Sequence, residues 1–159
     1  MLIQVIAVGK LKEPFYQAAQ EEYCKRLKVY TNLFVEEVAE EKLPPDSGVQ
    51  VLQKVRQREG ERLLKRLKPH AKCIALDPCG KMFSSEEFAG WLGEQISIGV
   101  NLLSFLIGGT VGLPTCVLEK ADLVWSLSRL TFPHQLARVI LLEQLYRAFK
   151  ILRNEPYHY

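Results

Sequence analysis

Two groups of residues in this 159-residue chain have the types and spacing that chemistry needs. The first is a set of three segments at the ends of short apolar runs: Leu76-Asp77-Pro78, then Ile107 to Leu113 with Gly108, Gly109 and Gly112, then Ser126-Leu127-Ser128-Arg129-Leu130-Thr131-Phe132-Pro133. Glycines at such a turn let a ligand come close to main-chain N–H groups. The G-G-x-x-G spacing is not the dinucleotide fingerprint, and it lacks the lysine and hydroxyl of a nucleotide-triphosphate loop. A packing turn and a ligand loop therefore stay equally open on these residues. The second group is the end of the chain, where Tyr157 and His158 follow Pro156, with Arg147 and Arg153 upstream. An imidazole titrates near neutral pH, and beside a phenol and a guanidinium it can handle a proton and a developing negative charge. The plain alternative is a frayed terminus.

His70, His134 and His158 are scattered, and Cys24, Cys73, Cys79 and Cys116 form no C-x-x-C pair. That pattern predicts no metal site and reduced thiols in a cytoplasmic protein. Neither a signal peptide nor an apolar run of membrane-spanning length is expected.

The elements that position these segments alternate. Strands are expected at Leu2 to Val8, Leu33 to Val38, Cys73 to Leu76, Leu102 to Ile107 and Leu123 to Leu127, from apolar β-branched runs closed by turn residues. Helices are expected from Pro14 to about Tyr30, from Val51 onward, after the N-cap Ser84, from Pro114 to Ala121, and from Pro133 to Asn154. Asp77-Pro78 should end the third strand, and the acidic run from Glu36 to Asp46 should be a solvated loop. Strands alternating with helices predict a single α/β domain over residues 1–159 with a mostly parallel sheet between helices. Such sheets bind ligands at the carboxyl ends of their strands, where all three segments fall.

A net charge of +3 is too small for a protein that grips nucleic acid by electrostatics alone. The charge is polarised, however: eight basic residues from Lys54 to Lys72 face two acidic ones. A solvated helix face or an RNA-facing patch both fit. In the last helix, Leu136, Val139, Ile140, Leu142, Leu145, Tyr146, Phe149 and Leu152 leave only a narrow polar stripe of Glu143, Arg147, Lys150 and Asn154. One sheet face cannot bury so much of a helix, so a second copy of the chain is expected to cover the rest as a homodimer.

The segments Phe105 to Gly109, Leu127 to His134, Leu145 to Phe149 and Pro156-Tyr157-His158 also form a recognisable set, together with Val5 to Lys10 and Ala75-Leu76-Asp77 before Gly80-Lys81. In this order and spacing, over essentially the whole chain, they resemble the RlmH family of ribosomal RNA large subunit methyltransferases, small members of the SPOUT superfamily. The resemblance implies an α/β fold with a C-terminal trefoil knot. It implies homodimers that use S-adenosyl-L-methionine to methylate N3 of a pseudouridine in 23S rRNA within the assembled 70S ribosome, without a metal. Carried over, the cofactor residues are Leu76, Gly108, Gly109, Leu127, Ser128, Arg129, Leu130, Thr131 and Phe132. The catalytic residues are Arg147, Tyr157 and His158. This chain departs from the family in ending on Tyr159 rather than on a basic residue, a role Arg153 is placed to take. Another RNA target for such a methyltransferase, or a ribosome-associated factor that binds the cofactor without catalysis, are the alternatives.

Overall fold

The computed structural model describes residues 1–157. Five strands form one sheet: β1 (Leu2–Val8), β2 (Asn32–Val38), β3 (Lys72–Met82), β4 (Leu102–Ile107) and β5 (Leu123–Ser126). Their order is β2-β1-β4-β3-β5, and every pairing is parallel. The α/β arrangement expected from the alternation is the one observed. β1 and β4 lie inside the sheet with helices on both faces, which is why both read as apolar runs interrupted only by one polar residue each, Gln4 and Ser104.

The pleat divides the core cleanly. Ile3, Val5, Ala7, Ile74, Leu103, Phe105 and Ile107 face the helices α1 (Pro14–Leu27), α3 (Ser85–Ser97) and α5 (His134–Leu152). Ile6, Val8, Cys73, Ala75 and Leu106 face α2 (Val49–Arg66) and α4 (Thr115–Lys120). Gln4 also faces α2, buried but satisfied: Ser104 donates to its Oε1 at 2.7 Å, and its Nε2 donates to Glu36 and to the Arg66 carbonyl. At the start of α3, Ser84 accepts from the Glu87 N–H while the Glu87 carboxylate accepts from the Ser84 N–H, a complete capping box.

Three expectations are corrected. Asp77-Pro78 does not end β3: the strand bulges and resumes its pairing with β5 at Lys81 and Met82. A bulge has no ladder partner for residues 77–80, so the N–H that proline lacks is not needed, and Asp77 Oδ1 accepts the Cys79 N–H at 2.9 Å. The acidic run begins inside β2, where Gln4 holds Glu36 and Arg138 holds Glu37. Finally, α5 packs between α1 and α3, so helices of its own chain bury two flanks as well as the sheet face. Leu145, expected on a subunit interface, is fully buried in the core of its own chain.

Candidate functional site

At the carboxyl ends of the strands the three segments meet around one cleft of about 620 Å³. Leu76, Asp77 and Pro78 come from the β3 bulge, Ile107 to Thr110 and Gly112 from the turn after β4, and Leu127, Ser128 and Leu130 to Pro133 from the loop after β5. Of the nine residues expected to bind a cofactor, Leu76, Gly108, Gly109, Leu127, Ser128, Leu130, Thr131 and Phe132 line this cleft. Arg129 is exposed and does not.

Each loop has a local reason for its shape. In the glycine turn, Gly109 and Gly112 form an isolated antiparallel bridge, and the Gly112 N–H donates to the Gly109 carbonyl at 3.0 Å. Gly112 has φ of +77°, a left-handed conformation that side chains resist. A Cβ on Gly109 would stand 2.9 Å from Val8 and 3.0 Å from Glu59. Packing thus favours glycine here, and the turn it permits is also a wall of the cleft. After β5, Ser126 donates to the Ser128 carbonyl and Ser128 accepts from the Leu130 N–H, which closes the loop on itself. Leu130, at the rim of the cleft, is 71% exposed.

Two residues of this region escaped the sequence reading. His134 opens α5 and lines the cleft; burial is the main cause that pushes its imidazole below its ordinary value, with Glu40 opposing and Arg138 and Lys12 adding to the shift. Arg138, one turn further on, is wholly buried and donates to Glu37 at 2.6 Å and to the Gly9 carbonyl at 2.8 Å, tying the start of α5 to the ends of β1 and β2. Only the Arg-to-Glu complementarity of two distant segments could have signalled it.

The expected catalytic residues lie elsewhere. Arg147 is on α5, ten residues beyond the cleft-lining Ala137, about 15 Å along the helix. That end of α5 packs on Tyr30, just before β2 begins, and is therefore at the opposite edge of the sheet. There Arg147 pairs with Glu143 at 2.6 Å and its guanidinium lies 4.8 Å from the Tyr157 ring centre, while the Tyr157 hydroxyl donates to Glu143. Burial first, then hydrogen bonding to Tyr23 and Glu143, pushes the Tyr157 hydroxyl well above its ordinary value. The end of the chain up to Tyr157 is thus packed rather than frayed. Arg153 lies over the Tyr30 ring at 4.6 Å. His158, like Tyr159, lies outside the described residues.

The basic run from Lys54 to Lys72, which begins on α2 and reaches β3, is largely engaged within the chain. Arg56 donates to the Val111 carbonyl, Arg58 and Arg62 pair with Glu41, the Lys68 ammonium sits over Phe34, and Lys72 donates to Gln95. The contacts of Arg56, Arg58 and Arg62 fasten the glycine turn and the loop after β2 to the helix. Among the described residues no group of three or more His, Cys, Asp or Glu side chains could hold a metal ion, and no helix is long and apolar enough to cross a membrane.

Fold and site together define an α/β protein with a parallel sheet and a cleft at the carboxyl ends of its strands, where sheets of this type bind ligands. The profile of the family described as "Predicted SPOUT methyltransferase" matches residues 1–158, and the chain belongs to that family of enzymes. Among curated proteins it is 49% identical over 158 residues to "Ribosomal RNA large subunit methyltransferase H" of Carboxydothermus hydrogenoformans, covering 99% of each chain. To the protein of the same name from Pelotomaculum thermopropionicum it is 52% identical over 157 residues, covering 99% of this chain and 98% of that one. Among solved structures, a probable methyltransferase from Bordetella pertussis Tohama I shares the fold with a TM-score of 0.55 at 14% identity, over 92% of this chain and 95% of that one. Family membership implies a methyl donor.

Proposed function

We propose that this chain, acting as one domain in a cytoplasmic homodimer with a C-terminal trefoil knot, transfers a methyl group from S-adenosyl-L-methionine to N3 of a pseudouridine in 23S rRNA on the assembled ribosome. The observation that carries this reading is the convergence of three strand-end segments on one cleft, in a chain of this family. The cleft volume lies within the range of small-molecule sites, and its walls suit the group: Leu127, Leu130 and Phe132 offer apolar surface, while Gly108 and Gly109 offer main chain without side chains in the way. When bound, the cofactor supplies an electrophilic methyl group on a sulfonium.

The residues of the chain do the rest. N3–H of a pseudouridine lies between two carbonyls, so loss of its proton to a base would leave a delocalised anion able to take a methyl group in line, the N–C bond forming as the donor's C–S bond breaks and a neutral thioether leaves. Alignment and stabilisation of that charge are what the protein must add. Arg147 suits the charge. Tyr157, which holds its proton far into the alkaline range, suits donation to a developing carbonyl anion rather than proton removal. The imidazole of His158 suits acceptance of the N3 proton. Because Arg147 and Tyr157 stand at the far end of α5 from their own cleft, a second copy is the source from which a complete site draws them. This supports the homodimer more strongly than the apolarity of α5 does.

Incubation with labelled S-adenosyl-L-methionine and 70S ribosomes, free 23S rRNA or tRNA tests the reading. Label is expected in 23S rRNA of the ribosome. Transfer to tRNA alone replaces the target, and cofactor binding without transfer to any of the three replaces enzyme by factor.

A further inference from the structure

Behind the glycine turn lies a buried carboxyl group for which the mechanism has no use. Glu59, on α2, is 2% exposed; its Oε1 accepts the Glu41 N–H at 2.9 Å, but its Oε2 has no hydrogen-bond partner. That oxygen stands 3.0 Å from where a Cβ of Gly109 would be, so it faces the back of the turn whose front lines the cleft. Orphaned buried polar atoms are rare enough in native proteins to need a reason. Glu40 and Glu41 lie nearby, opposed by Arg62, and burial raises the Glu59 carboxyl above its ordinary value, which makes its retention costlier still.

The surroundings supply the reason. Arg56, Glu59 and Gly60 lie on one face of α2, and all three meet the turn or its continuation: Arg56 holds the Val111 carbonyl at 2.7 Å, and Gly60 leaves room for Pro114. Elsewhere the back of the turn opens on a second cavity of about 400 Å³, lined by Lys12, Leu43, Glu59, Thr110 and Val111 among others. Thr110 lines both this cavity and the cleft, so the turn is a partition one chain thick. At Gly109 the groups against it are Val8 and Glu59, of which Glu59 presents the polar one.

We propose that Glu59 is a positioning residue for the methyl donor, its carboxyl setting from behind how far Gly109 and Thr110 stand into the cleft. The inference rests on the functional reading above. A spacer acts through its length and its hydrogen bond to Glu41 rather than through charge, and that separates the variants. Glu59→Asp withdraws the carboxyl by one methylene and is expected to weaken S-adenosyl-L-methionine binding about tenfold by calorimetry, and to raise KM for it with little change in kcat, since displacement of about an ångström is enough for such losses. Glu59→Gln keeps the length and is expected to stay within about threefold of the unmodified chain, because a uniform-binding contact is preserved. Arg56→Ala, at a half-buried position, frees the same turn at Val111 and is expected to weaken binding severalfold if Glu59→Asp does not fold. Donor affinity at the unmodified level in Glu59→Asp, or in Arg56→Ala where it is the variant read, overturns the inference, as does a Gln variant as weak as Asp. Failure of the unmodified chain to bind S-adenosyl-L-methionine overturns the functional reading instead, and this inference with it.

Discussion

Arg138 allows a test of how the start of α5 is held at the cleft. Its side chain is 1% exposed, and it joins Glu37 on β2 and the carbonyl of Gly9 after β1. Glu37→Gln keeps an acceptor but removes the countercharge. Breaking a fully buried pair costs about 3–5 kcal/mol, and because the Glu37 side chain is 31% exposed, water screens part of that, leaving about 2 kcal/mol. In a chain of this size that loss lowers Tm by about 4–8 °C. Arg138→Met also costs about 2 kcal/mol, chiefly through the Gly9 carbonyl left without its donor. The double variant should recover about 1–2 kcal/mol relative to the sum, since the orphaned charge is gone. Urea unfolding at constant slope measures all three. Single costs that add without coupling, or a Glu37→Gln variant of unchanged stability, would refute the argument that a buried ion pair anchors the helix. Donor binding should weaken alongside stability in both single variants, because His134 and Ala137 reach the cleft from the same turn of α5.

Three shorter predictions follow from burial, capping and titration. Ile140→Asp, at a partly buried position of α5, should dissociate the proposed homodimer into folded monomers, whereas Leu145→Asp should unfold the chain; sedimentation with circular dichroism separates the outcomes. Ser84→Ala should cost about 1 kcal/mol by loss of its cap while leaving methyl transfer unchanged. His134 is held below its ordinary value in the folded chain, so as pH falls through about 6.5 the unfolded chain takes up the proton first and stability falls; above that pH the contribution is fully present. His134→Gln should flatten this dependence, read as the urea midpoint between pH 7.5 and 5.5.

Legibility in the sequence followed from how local each determinant is. β1 and β4 were legible because burial on both faces demands a nearly continuous apolar run, broken only at the mutually bonded Gln4 and Ser104, and Ser84 because its capping box spans only four residues. The cleft was legible through a rule about strand ends, which selected the same three segments that the fold brings together. Arg129 was not separable from its loop by type, since exposure there is decided by the hydrogen bonds of Ser126 and Ser128. Arg138 and Glu59 were invisible for a different reason. Each is a charged residue in a helix, which reads as solvent-facing, and each is buried by segments remote in sequence: Gly9 and Glu37 for the one, Glu41 and Gly109 for the other. The β3 bulge was missed because a proline that ends an ordinary ladder is harmless where no partner faces it.

The span of α5 has a genetic consequence. The first turn of α5 lines the cleft and Tyr157 packs against its last turns, so in the proposed homodimer each chain would contribute the front half of one site and the back half of another. Two inactive variants, one damaged only at Gly109 and the other only at Tyr157, should therefore complement when co-expressed: mixed dimers hold one site with both lesions and one with neither. Activity should return toward half that of the unmodified dimer per mixed pair, from two chains that are each inert alone.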